Sequence, residues 1–161
     1  NVHLNHLEEK ITVIQGDLRS FEADKKFDVV FSNPPYIEKG IGHLSESEEK
    51  SIAKHELKCD IFDIMQKTSE LLRRKGRAIF IFPERRKINF LQAVQRYEMK
   101  IKAMRFVYPH SGSVPNLFLS ECDLFSEKEV VLPPLILYDK AGNYTSEAQE
   151  IFTGRTHAAT F

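Results

Sequence analysis

The stretch "FDVVFSNPPYIEKG", Phe27 to Gly40, is an apolar run that stops at an asparagine, two prolines and a tyrosine. Phe27 to Asn33 predicts a strand apolar on both faces, as a central parallel strand is. Proline fixes its own φ and drives the preceding residue into the extended region, so Pro34 holds Asn33 and Pro35 holds Pro34. Neither ring carries an N–H. The Asn33 carboxamide oxygen and the Pro34 carbonyl are therefore expected as acceptors at a rigid strand end, where ligands of open α/β sheets bind. Asn-Pro and Pro-Pro are also ordinary strand-ending punctuation, but the apolar strand before them and Tyr36 after them favour a site.

Two convergent acceptors suit a planar amino group with two hydrogens to donate. Adenine carries one, but its lone pair is delocalised into the ring and is a poor nucleophile. Acceptors on both hydrogens favour a more tetrahedral nitrogen and stabilise the charge that develops as it attacks. Tyr36 offers a face on which the base can stack, worth about 1–3 kcal/mol. The base must then be flipped out or already unstacked.

Outward from this tip, "ITVI" (Ile11 to Ile14) predicts a strand after the last turns of a helix, closed by Gly16 and Asp17. Asp17, in "VIQGDLRSF", is either a capping residue or an acceptor for a cofactor. The stretch Glu38 to Glu49 predicts a loop that turns helical near Ser51. "ELKCDIFDIMQKTSELLRRKG" predicts the longest helix, stopping at Gly76. "RAIFIF" is a strand ending at Pro83, "INFLQAVQRYEM" a helix, and "AMRFVYP" and "NLFLSEC" two strands. A Pro-rich strand, a Gly142/Asn143 turn and a short helix from Ser146 follow, with a tail over 153–161. The alternation predicts an α/β fold with a mostly parallel sheet.

The 161 residues, 42% hydrophobic and 29% charged, suit one cytoplasmic globular domain. Lys plus Arg (23) balances Asp plus Glu (23) overall. From Arg73 to His110, however, eleven basic residues face only two acids, Glu84 and Glu98. Such a run is either a solvated face or a polyanion-binding surface. Cys59 and Cys122 lack ligand or disulfide spacing, the six histidines show no metal-like pattern, and no apolar run approaches a membrane span.

These residues resemble the class I S-adenosylmethionine-dependent methyltransferases with an NPPY motif. More closely, the chain is similar to the bacterial tRNA(Val) adenine-N(6)-methyltransferase family, through "QGDLRSF", "FDVVFSNPPY", "AKHEL", "LLRRKGRAIFIFPERR", "MRFVYPH" and "LPPLILYDKAGNYTSEAQEIF". The resemblance implies a Rossmann-like methyltransferase sheet with helices on both faces, and S-adenosyl-L-methionine as cofactor. It implies that Asn33, Pro34, Pro35 and Tyr36 hold the target base. It places Asp17, Leu18 and Asn33 at the cofactor, and Lys54, His55, Arg85, Arg86 and Lys87 toward tRNA. NPPY is shared with enzymes that methylate guanine amino groups or protein glutamines, so those substrates stay open, as does a non-catalytic RNA-binding fragment.

The family's first two strands, with a glycine-rich cofactor loop and a ribose-binding acid, have no counterpart here. Their absence predicts an incomplete sheet. Residues 1–152 are accordingly expected to be the C-terminal part of a single methyltransferase domain, unstable by itself.

Overall fold

A computed structural model describes residues 1–34 and 59–155. Six strands run β1 (Phe27–Ser32), β2 (Leu72–Pro83), β3 (Lys100–His110), β4 (Leu117–Asp123), β5 (Val130–Val131) and β6 (Leu135–Tyr138). Three helices accompany them: α1 (Ile61–Leu71), α2 (Lys87–Arg96) and α3 (Ser146–Phe152). The strands lie in the order β1-β2-β4-β3, with β5 and β6 both pairing to β3.

The sheet is mostly parallel, as expected, with one strand reversed. β1 pairs β2 in parallel, and β5 and β6 pair β3 in parallel, but β4 is antiparallel to both β2 and β3. The connection from His110 to Leu117 is too short for a crossover, so β4 must fold back beside β3.

α1 starts at a capping box. The Asp60 carboxylate accepts from the N–H groups of Phe62 (2.8 Å) and Asp63 (3.0 Å), while Asp63 accepts from the Asp60 N–H at 3.0 Å. An N-cap of this kind contributes about 1 kcal/mol. Ile61, Ile64, Met65 and Thr68 form the buried side of this helix.

α1 ends at Leu71, five residues short of the expected stop at Gly76, and β2 begins at once. Gly76 serves a different purpose. Phe27 pairs with Leu72 but Val29 with Arg77, so the intervening residues of β2 arch out of register. Arg73 ties down the arch through Asp28 (2.8 Å) and the Lys26 carbonyl (2.9 Å). At Gly76 a Cβ would come within 2.9 Å of Leu72 Cδ1 and 3.0 Å of the Arg73 and Asp28 carbonyl oxygens. Only a residue without a side chain allows that approach.

The core lies between one face of the sheet and helices α1 and α2. Phe80, Phe90 and Phe118 are fully buried, and Phe90 meets the other two edge-on at 5.4 and 5.1 Å between ring centroids. α2 ends at Arg96, before the predicted Met99, because Glu98 takes a left-handed φ of 54°. α3 lies against the opposite face. Arg105, next along β3 from core-facing Met104, is buried there, donating from Nε to the Pro133 carbonyl (2.9 Å) and from Nη2 to Glu147 of α3. Helices thus cover both faces, as expected.

The expected strand at Ile11 to Ile14 is irregular and exposed, with Val13 76% accessible. No described strand pairs with it, and an isolated strand has nothing to satisfy its backbone. The expected opening helix is a single 3-10 turn, His3–Asn5. Among the described strands β1 is at the edge, its Phe31 80% exposed on the face away from α1 and α2. The predicted helix start near Ser51 lies outside the described residues. Among those described, no helix is long and apolar enough to cross a membrane.

Gly76→Ala is expected to lower the unfolding free energy by about 1–3 kcal/mol, the range for overpacking. Gly16→Ala, whose Cβ meets nothing within 4 Å, serves as the control. Denaturant titration of the two variants checks this. Equal stabilities would mean that the arch relaxes freely.

Candidate active site at the carboxyl end of the sheet

The strand registers bring several separate segments to one end of the sheet. Ser32 pairs with Phe80, Pro83 with Leu117, Val107 with Leu117, and His110 with Tyr138. The exits of β1, β2, β3 and β6 therefore share an end with the 111–116 connection. α1 runs into the start of β2, so its first turn returns to this end as well.

Asn33 follows the last residue of β1 and is exposed, whereas Pro34 beside it is buried. A buried proline anchors the strand end while the asparagine stays accessible. Pro35 and Tyr36 lie outside the described residues, as do Lys54 and His55.

Asp17 caps the one-turn 3-10 helix Leu18–Ser20, which packs against α1. Its carboxylate accepts from Arg19 three ways: from the backbone N–H at 3.0 Å, from Nε at 3.0 and 3.1 Å, and from Nη2 at 2.5 Å. Those hydrogen bonds hold the Asp17 pKa down to about 2. Arg19 lies in turn within electrostatic reach of Asp63 and Cys59, at the start of α1. Asp17 and Leu18 thus stand at the same end of the fold as Asn33.

Arg85 and Arg86 sit in the 3-10 turn Glu84–Arg86 that follows β2, a turn pinned by the Glu84 N–H donating to the Asn116 carbonyl at 3.0 Å. Arg85 is exposed and Arg86 half-buried. Lys87 Nζ reaches Glu84 at 3.2 Å and lies 5.1 Å from the centre of the Phe106 ring, so its charge is compensated inside the fold.

Burial pushes Cys122 up to about 12, and burial together with Asp63 pushes Cys59 up to about 11. Among the described residues no cluster of three His, Cys, Asp or Glu could hold a metal ion.

The donor set fits one part of S-adenosylmethionine. A carboxylate at Asp17 suits the amino group of the cofactor's adenine, although that group would have to displace Arg19. The described residues offer no glycine-rich loop for the methionine part.

One feature of this end has almost no signature in the sequence. His110, Tyr138, Tyr144 and Phe152 form a continuous aromatic series, with centroid separations of 5.6, 5.0 and 5.0 Å. The Gly142/Asn143 turn between the two tyrosines is its only local signal.

The family model "Eco57I restriction-modification methylase" matches residues 2–106. The tRNA1(Val) (adenine(37)-N6)-methyltransferase of Phocaeicola vulgatus is 29% identical over 74% of this chain and 50% of its own length. The protein of the same name from Aliivibrio fischeri is 26% identical over 78% and 53%. The chain spans about half the length of these curated relatives. Among solved structures, a predicted O-methyltransferase from Agrobacterium tumefaciens superposes with a TM-score of 0.70 at 16% identity, over 98% of this chain and 70% of that one. That likeness establishes a methyltransferase fold.

Proposed function

The chain belongs to the Eco57I restriction-modification methylase family, and from that premise we propose that it is the C-terminal part of an enzyme that methylates the exocyclic amino group of an adenine in tRNA. The observation that carries the reading is the tip of β1, where an exposed Asn33 is fixed by a buried Pro34 at the ligand-binding end of the sheet. The relatives named for tRNA adenine methylation support the substrate. Among the described residues β1 has a strand on one side only and its Phe31 is exposed, which supports a larger parent domain, because a central strand of such a sheet is covered on both sides.

The Asn33 carboxamide oxygen and the Pro34 carbonyl each accept one N–H of the adenine amino group. They turn its lone pair out of the ring plane and offset the positive charge that develops on nitrogen. Pre-set by the two proline rings, these acceptors need no reorganisation as the reaction proceeds. Tyr36 stacks on the base and holds it out of the RNA. Asp17, with the Leu18 backbone nearby, would seat the adenine of S-adenosylmethionine, which would supply an electrophilic methyl group. The methylated nitrogen then loses its proton to solvent water, so no strong base is required beforehand.

Arg85 and Arg86 neutralise RNA phosphates on the side of the site toward β4. Lys87 supports this surface from within. An RNA substrate of this kind supports a cytoplasmic location.

Asn33→Ala in the full-length enzyme is expected to lower kcat by at least about 100-fold, the usual effect of removing a preorganised hydrogen-bonding group from the transition state. Its tRNA affinity should stay within about twofold, since phosphate neutralisation dominates binding. Methyl incorporation and filter binding check both, and near-normal turnover would sink the mechanism. Methylation of duplex DNA with none of tRNA would change the substrate and keep the chemistry.

Tyr36→Phe should be mild and Tyr36→Ala should cost about 5- to 100-fold in kcat/KM, because stacking needs the ring and not the hydroxyl. Equal losses in the two variants would assign the hydroxyl a role instead. Replacing Arg85 and Arg86 together by Ala should reduce the slope of log affinity against log salt by about one for each phosphate the arginines neutralise. An unchanged slope would remove both arginines from the interface.

A further inference from the structure

The aromatic series at the exit of β6 borders a cavity of about 380 Å³ lined by Tyr138, Gly142, Asn143, Tyr144 and Gln149. Its walls are built rather than accidental. The Asp139 carboxylate accepts from the N–H groups of Ala141 (2.8 Å) and Asn143 (2.9 Å), and the Asp139 N–H donates to the Asn143 carbonyl at 2.8 Å. Gly142, at φ 85°, supplies the left-handed residue that closes this turn. The Thr145 hydroxyl then donates to the Ile136 carbonyl at 2.6 Å, clamping the turn onto β6.

The resulting surface has a particular chemistry. Tyr138 and Tyr144 stack at 5.0 Å with 21° between their planes, and Tyr144 and Phe152 remain 49% and 60% exposed. Asn143 and Gln149, whose carboxamides carry two N–H donors and an acceptor each, line the cavity. Aromatic faces beside carboxamides match what an unpaired nucleobase presents, a π-face and a hydrogen-bonding edge.

The location matches too. His110 pairs with Tyr138 in the ladder, so the cavity opens at the same sheet end as Asn33. Four strand spacings separate β1 from β6 across the sheet, about 19 Å at the usual interstrand distance. Several nucleotides of a single-stranded loop can bridge that span, with Arg85 and Arg86 lying between the two ends.

We propose that this cavity binds an unpaired nucleobase of the RNA, one that flanks the base held at Asn33, by stacking on Tyr144 and by hydrogen bonds to Asn143 and Gln149. This rests on the tRNA reading given above. The cavity acts in binding, and contributes nothing to methyl transfer itself.

The test compares the full-length enzyme with its Tyr144→Ala, Tyr144→Phe and Asn143→Ala variants, measuring affinity for a tRNA transcript, KM and kcat. Tyr144→Ala should weaken binding and raise KM by about 5- to 100-fold, the range for removing one base stack, with kcat unchanged. Tyr144→Phe should restore both, Asn143→Ala should fall between, and the salt slope should stay as in the wild type because every phosphate-neutralising side chain is intact. Because Tyr144 also packs on Phe152, photo-crosslinking of wild-type enzyme to 4-thiouridine-substituted tRNA supplies a second measurement. The crosslinked peptide should contain Tyr138 to Tyr144. Normal methylation with unchanged Tyr144→Ala binding, or crosslinks confined to other peptides, would overturn this inference alone. A wild-type enzyme that leaves tRNA unmethylated would overturn the substrate reading and this inference with it.

Discussion

Phe90 reaches from α2 between Phe80 of β2 and Phe118 of β4, meeting both rings edge-on. This contact joins the two antiparallel strands and the helix that crosses them, and burying a phenylalanine side chain is worth about 1.5–3 kcal/mol. Its geometry also sets the position of the site. α2 can pack there only if the turn Glu84–Arg86 directs the chain sharply out of β2, and that turn is the one carrying Arg85 and Arg86. The Glu84 N–H, donating to Asn116 in the β3–β4 connection, fixes the turn to the next strand pair.

The far side of the sheet is organised differently. Here a buried guanidinium, Arg105, spans the Pro133 carbonyl and Glu147, and so fastens the Pro-rich segment and α3 to β3. Removing a partner from a buried charge is more costly than never having placed it there, which makes this contact specific as well as cohesive. The tyrosine turn depends on it, because Glu147 lies on the helix that Thr145 caps. Near β1 the same face stays open, with Phe31 and Val29 exposed. One molecule thus presents a closed, polar-locked half and an open, apolar half on a single sheet face.

The two halves explain why elements differ in how closely they follow local sequence. The arch at Gly76 reads in isolation as a helix stop, since glycine after "LLRRK" is an ordinary C-terminal signal. Only the pairing of Phe27 with Leu72 reveals that β2 has already begun. "ITVI" reads as a strand from its β-branched residues, yet strand propensity is realised only against a neighbour. Lys87 reads as one of three basic residues in a row, and only packing shows that Glu84 and the Phe106 ring hold it.

The sequence by itself determined the extended backbone at the tip of β1. Proline geometry is local, so Asn33 and Pro34 are fixed whatever surrounds them. It also determined the alternation of helices and strands after Cys59, where apolar periodicity is strong enough to be read without contacts. The tertiary structure alone decided which segments meet at that tip. Strand order and direction depend on pairing between residues far apart in the chain, and nothing local in Tyr138 or Tyr144 encodes their arrival, across β3 and β4, at the end of the sheet that carries Asn33.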